Sequence, residues 1–205
     1  MESKLFTPVT FGPLTLRNRT IRSAAFESMC PGNAPSDMLL DYHRSVAAGG
    51  IGMTTVAYAA VTQSGLSFDR QLWMRPEIIP GLRRLTDAIH AEGAAAGIQL
   101  GHCGNMSHKS ICGCMPVGAS SGFNLYSPTF VRGLRADELP EMARAYGRSV
   151  NLAREAGFDS VEIHAGHGYL ISQFLSPSTN HRKDEFGGSL QNRMPFMDMV
   201  MEGVM

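Results

Sequence analysis

The sequence lacks the features that would place the protein in a membrane or on nucleic acid. No stretch approaches the roughly 18 apolar residues that a membrane-spanning helix needs, and residues 1–8 contain no apolar core of signal-peptide length. The formal net charge is zero, with 18 basic and 18 acidic residues. We therefore expect no basic patch for nucleic acid and no polybasic membrane tail. These absences favour a cytoplasmic protein that acts on small molecules.

Cysteine is also scarce. The chain has four cysteines, of which Cys112 and Cys114 are separated by one residue while Cys30 and Cys103 stand apart. This spacing is typical neither of a zinc-ribbon pair nor of a disulfide framework. Since cytosolic thiols are normally kept reduced, we interpret the cysteines as incidental small residues and expect no metal site there.

What the sequence does contain is an alternation of apolar strands and amphipathic helices. Val9–Leu16, which includes Gly12-Pro13, is typical of a short β-hairpin. The first three predicted helices each end at a glycine, a common helix terminator. The strands predicted after the hairpin are 18–25, 51–57, 94–101 and 160–164. The predicted helices are 37–48, 79–93, 139–156 and one starting at 189, with Pro195 close to its start. A long loop covers 103–132.

This order of elements predicts a parallel sheet with right-handed crossovers. Two architectures fit it, a doubly wound sheet and half of a (β/α)8 barrel. A dinucleotide-binding sheet would carry G-x-G-x-x-G directly after its first strand, whereas residues 23–27 contain no glycine. The sequence therefore predicts an α/β fold of the TIM-barrel type, with an N-terminal β-hairpin and the first four β/α units present.

Polar side chains follow the ends of two predicted strands. Gln99 and His102 lie at the end of the third strand, and His164, His167 and Tyr169 follow the fourth. In a barrel, the residues that carry the chemistry collect at the carboxyl ends of the strands. Buried amides and imidazoles cost free energy unless they are paired, so this concentration indicates that a ligand supplies their partners.

The spacing of His164 and His167, three residues apart, allows three interpretations. Two imidazole N–H groups could polarise one carbonyl or nitro oxygen, with Tyr169 donating a proton to a strongly basic carbon. The pair could instead bind zinc, which usually requires a third ligand, although the metallohydrolase motif has histidines four apart with a glutamate between them. Both could also be ordinary core residues. The spacing alone does not decide among these.

The most distinctive segment runs from His164 to Pro177 and reads HAGHGYLISQFLSP. Shorter distinctive segments are LRNR at 16–19, GGIG at 49–52, QLGHCG at 99–104, AGFDSVEIH at 156–164 and FGGS at 186–189. In this order, the segments resemble the N-terminal part of the Old Yellow Enzyme family, the FMN-dependent NAD(P)H oxidoreductases that include the dienoyl-CoA reductases. The resemblance covers nearly all 205 residues.

The resemblance implies an FMN site. Ala24, Ala25 and Phe26 from the first strand would lie along the flavin. Ala57, after the second strand, would touch the isoalloxazine ring, and Gln99 would hydrogen-bond the pyrimidine edge. Arg193, near the N1–O2 side, would stabilise the anionic reduced flavin. The implied FMN contacts are therefore Ala24, Ala25, Phe26, Ala57, Gln99 and Arg193.

The resemblance also implies a substrate site and a reaction. His164 and His167 would hold the carbonyl or nitro oxygen of the substrate, and Tyr169 would donate the proton. The implied activity is reduction of activated C=C bonds, such as those of enones and enoates, in a ping-pong reaction with NAD(P)H as electron donor. The alternatives are a catalytically silent remnant and a metal-dependent hydrolase that uses the histidine pair.

Four positions depart from the family pattern. Ala24 stands where the family usually has proline, and Phe26 where it has threonine or cysteine. Phenylalanine cannot make the hydrogen bond that the hydroxyl or thiol makes to the flavin, so we expect an altered redox potential or a modified pocket. Asn105 and Pro195 each replace an arginine.

Length is a further departure. A (β/α)8 barrel typically takes about 250 residues and commonly builds its phosphate site after strands seven and eight, whereas this chain has 205 residues and our strand count stops at four. We expect residues 1–205 to form one incomplete domain, the N-terminal half of an FMN-binding barrel. It would be a fragment, a chain that completes a barrel by oligomerising, or a remnant, and we favour the fragment.

Overall fold

The computed structural model describes residues 3–205; Met1 and Glu2, which begin the segment assessed for a signal peptide, lie outside the described residues. The chain divides into two compact units. The first contains the residues up to Ala59 together with Arg70–Gln99 and Asn151–Glu162, and the second contains Ala60–Asp69, Leu100–Val150 and Ile163–Met205. Within residues 3–205, no helix is both long and apolar enough to cross a membrane.

The strands and helices that the sequence predicts occur in the predicted order, together with short strands and helices that it does not predict. The helices are α1 (Asp37–Ala48), α2 (Ile79–Ala91), α3 (Lys109–Cys112), α4 (Leu139–Glu155), α5 (Leu170–Leu175), α6 (Leu190–Arg193) and α7 (Pro195–Val204). The strands are β1 (Val9–Phe11), β2 (Leu14–Leu16), β3 (Ile21–Arg22), β4 (Met53–Ala60), β5 (Ala95–Gly101), β6 (Val117–Gly118), β7 (Gly122–Asn124), β8 (Thr129–Gly133) and β9 (Ser160–Ile163).

The principal sheet has the strand order β3-β4-β5-β9. β3 pairs with β4 in parallel, with Ile21 opposite Met53. β4 is buried along nearly its whole length, as expected of a strand covered on both faces. The α/β fold with a parallel sheet is therefore confirmed, and so is the N-terminal hairpin, in which β1 and β2 pair antiparallel. The count of four barrel units stays a prediction.

The strand predicted over 18–25 is much shorter in the structure. The Asn18 side chain accepts the backbone N–H of Thr20 at 3.1 Å and donates to the Gly50 carbonyl at 2.7 Å. Such a side chain-to-backbone turn replaces the bonds of a strand ladder. Ladder pairing consequently begins only at β3, which contains two residues.

Arg17 ties three backbone segments of the first unit together. Its guanidinium donates to the carbonyls of Ala47 at 2.6 Å, Ile51 at 2.9 Å and Glu92 at 2.7 Å. Ala47 belongs to the last turn of α1, and Glu92 directly follows α2, so Arg17 satisfies carbonyls that helix ends leave without an intrahelical partner.

The region predicted as a long loop contains a small sheet with the order β6-β8-β7. β7 and β8 form an antiparallel hairpin with Phe123 opposite Phe130, and their rings lie 5.1 Å apart, edge to face. The last predicted helix is divided into α6 and α7, because Pro195 occupies the first turn of α7, where proline fits best.

Close helix packing in the second unit gives a stability prediction. A Cβ atom added at Gly147 in α4 would overlap the carbonyl oxygen of Gly203 in α7. Backbone cannot yield as a flexible side chain can, so we expect Gly147→Ala to lower the free energy of unfolding by about 2 kcal/mol, as measured by urea denaturation.

The matched control is Gly203→Ala, because its added Cβ would meet nothing nearer than the Ala143 carbonyl oxygen at 3.6 Å, an ordinary contact. Alanine favours a helix over glycine by up to about 1 kcal/mol, so this variant should be as stable as the wild type or slightly more stable. Equal stability of the two variants would contradict the close packing of α4 against α7.

Candidate active site

The segment after β9 makes a sharp turn. His167 and Gly168 adopt left-handed backbone conformations, with φ of +54° and +69°. For a histidine this conformation is uncommon and costs about 1 kcal/mol or more, a kind of strain that clusters at functional sites. The turn is anchored at both ends, since the His164 N–H donates to the Leu100 carbonyl at 2.8 Å and the Leu170 N–H donates to the His102 carbonyl at 2.9 Å.

The turn brings three predicted catalytic side chains together. His167 Nδ1 lies 3.3 Å from His164 Nε2, and the two rings are 4.9 Å apart between centroids. The Tyr169 ring lies 4.9 Å from that of His164 and 6.5 Å from that of His167. Donation from His164 Nε2 and His167 Nδ1 to one ligand oxygen would require that oxygen to replace the direct contact between these two nitrogens.

The surroundings of Tyr169 favour the protonated form of its phenol. Burial raises the pKa of the half-buried Tyr169 phenol, and a hydrogen bond with the Ser67 side chain lowers it by a smaller amount. The hydroxyl is therefore protonated at neutral pH. Ser67 is placed to stabilise the phenolate that remains after the proton has been given up.

Metal binding gains no support from the geometry. Among the residues that the structure describes, no group of three or more histidine, cysteine, aspartate or glutamate side chains could hold an ion. A zinc site normally has at least three protein ligands, and the pair of His164 and His167 supplies two.

His102, at the end of β5, is a buried structural residue. Its Nδ1 accepts the Gly104 N–H at 2.9 Å, and its Nε2 lies 3.0 Å from the Ser64 hydroxyl. Because Nδ1 is an acceptor, the proton of the neutral ring is on Nε2, which donates to Ser64. Burial lowers the pKa of His102 to about 3, so the ring stays neutral and does not act as the base for Ser64.

The lowered pKa of His102 predicts loss of stability in acid. In the unfolded chain, the His102 ring is protonated below its ordinary pKa of 6.5. In the folded chain, it stays neutral down to about pH 3. The contribution of His102 to the free energy of unfolding is therefore fully present above pH 6.5. Below that pH it falls by about 1.4 kcal/mol per pH unit. Urea unfolding between these limits should show a shallower pH dependence for His102→Gln, which cannot titrate. Parallel slopes for the two proteins would refute the assignment.

Gln173 is a site residue that sequence reasoning missed. Its amide nitrogen donates to the carbonyls of Gly168 at 2.6 Å and Cys103 at 3.1 Å and to the Asn105 side chain at 2.9 Å. Its amide oxygen accepts the Asn105 N–H at 3.1 Å. One buried amide thus fastens the turn that carries His167 to the turn after β5. The available signal was a lone amide in the largely apolar segment LISQFL.

The residues predicted to contact FMN are divided between the two units. Ala24, Ala25 and Phe26 follow β3, and Phe26 is 43% exposed. Ala57 is buried within β4. In the same unit, the Gln99 side-chain N–H donates to the Glu162 carboxylate at 2.5 Å.

Arg193 belongs to the second unit, where it ends α6. Its Nε donates to the Leu175 carbonyl at 2.7 Å, and it also donates to the carbonyl of Gly188. Two backbone carbonyls thus hold the positive charge in a defined position.

A buried ionic cluster supports the predicted flavin-contact segment of the first unit. The Glu27 carboxylate lies 2.9 Å from Arg22 and 3.3 Å from His43 Nε2, and it accepts the Ala57 N–H at 3.3 Å. His43 Nδ1 in turn lies 2.8 Å from the Thr54 hydroxyl. Glu27, which sequence reasoning also missed, thereby fixes the segment directly after Phe26 to the backbone of β4.

The second unit also contains a cleft of about 540 Å³ with His167 in its wall. The hairpin of β7 and β8 contributes Phe123, Leu125 and Tyr126, and Asn105 contributes an amide. A cleft of this size with apolar walls and a few polar groups is typical of small-molecule sites. The departure from arginine at Asn105 therefore lies where it would alter the charge of the cleft.

Comparison with known proteins places these observations in context. Residues 4–205 match the family model described as NADH:flavin oxidoreductase / NADH oxidase family. The chain is 42% identical over 200 residues to the 4,4'-dithiodibutanoate disulfide reductase of Rhodococcus erythropolis, covering 98% of this chain and 50% of that protein. It is 36% identical over 209 residues to the NADPH dehydrogenase of Bacillus subtilis, covering 100% of this chain and 60% of that protein.

Solved structures show the same similarity. The old yellow enzyme homologue from Zymomonas mobilis superimposes with a TM-score of 0.91 at 30% identity, covering 98% of this chain and 59% of that one. Morphinone reductase superimposes with a TM-score of 0.90 at 29% identity, covering 98% of this chain and 58% of that one. The chain thus spans between half and three fifths of the length of these relatives.

Proposed function

The chain belongs to the NADH:flavin oxidoreductase / NADH oxidase family, and we propose that it contributes the catalytic side chains of an FMN-dependent enzyme that reduces activated C=C bonds with NAD(P)H. The observation that carries this proposal is the grouping of His164, His167 and Tyr169 on one strained turn. We further propose that residues 1–205 are the N-terminal half of an FMN-binding barrel and part of a longer cytoplasmic protein.

The chemistry of the predicted cofactor residues fits a flavin. The Gln99 amide supplies a donor and an acceptor, as the pyrimidine edge of a flavin requires. Arg193 supplies a fixed positive charge, which suits the anionic reduced ring. Ala24 and Ala57 are small enough to let a flat ring approach the backbone, and the Ala57 N–H is already held by Glu27. FMN bound here would supply a hydride acceptor and donor.

The role of this chain's own residues follows from their geometry. His164 and His167 donate hydrogen bonds to the carbonyl or nitro oxygen of the substrate and stabilise the negative charge that develops on it. The Tyr169 phenol, held protonated by burial, gives its proton to the α-carbon, which is far more basic than a phenolate. Ser67 then hydrogen-bonds the phenolate until it is reprotonated.

Visible absorbance and ligand titration test this function. The purified full-length protein should absorb as an oxidised flavin and release FMN on denaturation, and a phenolate ligand should perturb its spectrum. Replacing His164 or His167 with alanine should weaken phenol binding about tenfold, because each removes a hydrogen bond to a charged oxygen worth about 1.5 kcal/mol.

The matched control is His108→Ala, since His108 is an exposed histidine of the same unit whose ring bonds only to Ser110 among the described contacts. Its phenol affinity should equal that of the wild type. A colourless full-length protein would overturn the proposal. Stoichiometric zinc in that protein would favour a hydrolase, and the absence of both zinc and flavin would favour a silent remnant. Unchanged phenol affinity in both site variants would remove the histidines from the substrate site.

An organic disulfide is a second candidate substrate. It is favoured by the 42% identity to a protein named as a 4,4'-dithiodibutanoate disulfide reductase. Disulfide reduction forms no carbon–hydrogen bond, so it does not require a proton from Tyr169 to carbon. Comparing turnover of 2-cyclohexen-1-one and 4,4'-dithiodibutanoate therefore separates the two candidates, since loss of the Tyr169 hydroxyl should slow only the first.

A further inference from the structure

Cys112 and Cys114 face each other at the end of α3. Cys112 is the last residue of this helix, and Gly113 adopts a left-handed conformation with φ of +72°. This conformation turns the chain back, so that the two Sγ atoms lie 3.6 Å apart. Cys112 is buried whereas Cys114 is exposed. The fold thus presents one thiol to solvent and holds a second directly behind it.

The other two cysteines lack this arrangement. Cys30 is buried, and burial together with the nearby Glu27 carboxylate raises its pKa to about 12. Cys103 is also buried, and its thiol hydrogen-bonds the Leu66 carbonyl at 3.3 Å. Neither thiol is accessible to a reagent in solution, so thiol chemistry at the surface of the described residues is confined to Cys114 and the thiol behind it.

We propose that Cys112 and Cys114 form a redox-active dithiol, which is oxidised to an intramolecular disulfide by exchange with a low-molecular-weight disulfide. The sulfur atoms need to approach by about 1.5 Å to reach the disulfide bond length. Gly113 between them has no Cβ and can absorb the necessary backbone rotation at low cost. This site is independent of the FMN chemistry proposed above.

The exchange takes two steps. The Cys114 thiolate attacks one sulfur of the small disulfide; the disulfide bond breaks, and the first small thiol leaves with the bonding electrons and takes up the proton lost by Cys114. The Cys112 sulfur then attacks the Cys114 sulfur of the mixed disulfide, and the second small thiol leaves with the Cys112 proton. Two electrons pass from the cysteines to the small disulfide, which becomes two thiols.

The structure indicates a labile bond rather than a structural one. A loop closed across a single residue removes little chain entropy and stabilises the fold little. Strained or exposed disulfides have more oxidising potentials and are readily reduced. Desolvation and the neighbouring Cys112 thiol also raise the pKa of Cys114 to about 11, against a smaller opposing effect of Arg132. The thiolate is therefore scarce at neutral pH, and the exchange is slow.

Mass spectrometry can follow the state of both cysteines at once. Cleavage after Lys109 and Arg132 yields one peptide that contains Cys112 and Cys114 and no other cysteine. The protein is equilibrated in buffers of graded reduced-to-oxidised glutathione ratio, quenched with an alkylating reagent and digested. In reducing buffer the peptide should carry two alkyl groups. In oxidising buffer it should carry none and have lost two hydrogens.

Single variants and unfolded protein provide the controls. Cys112→Ser should stop at a mixed disulfide between glutathione and Cys114, and Cys114→Ser should leave Cys112 alkylated. Urea-unfolded wild type should need a more oxidising buffer than the folded protein to reach half oxidation. Double alkylation of the folded wild type at every glutathione ratio would overturn the proposal. It would also be overturned if the wild type kept the mixed disulfide with glutathione that is expected of Cys112→Ser. A folded protein no easier to oxidise than the unfolded chain would overturn it too.

Discussion

A Tyr169→Phe substitution is expected to slow reduction of an activated alkene by about a hundredfold or more, the usual contribution of a positioned general acid. Reduction of FMN by NAD(P)H should be nearly unchanged, because that half-reaction transfers no proton to carbon. The reason lies in the site: Tyr169 adjoins His164, with ring centroids 4.9 Å apart, and burial keeps its phenol protonated. Stopped-flow absorbance of FMN-loaded protein measures the two half-reactions separately.

Tyr146→Phe is the matched control for this substitution. The Tyr146 hydroxyl is buried in the same unit, and no hydrogen-bond partner for it occurs among residues 3–205. Its removal breaks no hydrogen bond within the described part of the chain, and both half-reactions should proceed at wild-type rates. If Tyr169→Phe slows both half-reactions equally, the tyrosine supports the fold of the site and does not donate the proton.

The second large effect is expected at Gln173. Replacing it with leucine keeps much of the volume but leaves the Gly168 carbonyl and the Asn105 N–H without their partner, whereas the Cys103 carbonyl keeps its bond from the Met106 N–H. Each buried polar group left unpaired costs about 1–3 kcal/mol, so the free energy of unfolding should fall by about 3 kcal/mol or more. That is a large part of the 5–15 kcal/mol typical of a domain, and urea denaturation monitored by circular dichroism measures it.

Gln63→Leu provides the same chemical change on the surface. Gln63 is exposed and begins a short 3₁₀ turn of the second unit, so its replacement should alter stability by less than about 0.5 kcal/mol. Should Gln173→Leu prove as mild as this control, the hydrogen bonds between the two active-site turns would not contribute to stability as the geometry implies.

Helix boundaries were largely predictable from the sequence because their signals are local. The helix predicted over 37–48 coincides with α1, whose start is capped by the Ser36 hydroxyl accepting the Leu39 N–H at 3.2 Å. The helix predicted over 139–156 differs from α4 by one residue at its end. Serine before a helix and glycine after it act through the nearest turns of backbone, so their neighbours in sequence are sufficient to reveal them.

The strand β6 in the predicted long loop could not be found in the same way. β6 pairs with β8 through Val117 and Arg132, and β6 has only two residues. Two residues are too few to show the alternation of apolar and polar positions by which strands are recognised. The pairing is set by the folded context and not by any pattern within the segment.

The residues of the candidate site likewise differ in whether the sequence alone could reveal them. The sequence pattern and the family resemblance singled out His164, His167 and Tyr169, and the structure places these side chains side by side; their catalytic roles stay predictions. Gln173 and Glu27 escaped notice because their importance arises from distant partners. The Gln173 amide bonds to Cys103, 70 residues earlier in the chain, and Glu27 bonds to Ala57, 30 residues later.

The three carbonyls held by Arg17 have a consequence for the order in which the first unit assembles. They lie 30, 34 and 75 residues further along the chain, and a ribosome releases a protein from its N-terminus. While the chain is being made, the bond to the Glu92 carbonyl can therefore form only after the carboxyl end of α2 has emerged. Arg17 thus reaches its final hydrogen bonding only 75 residues of synthesis after it has itself been made.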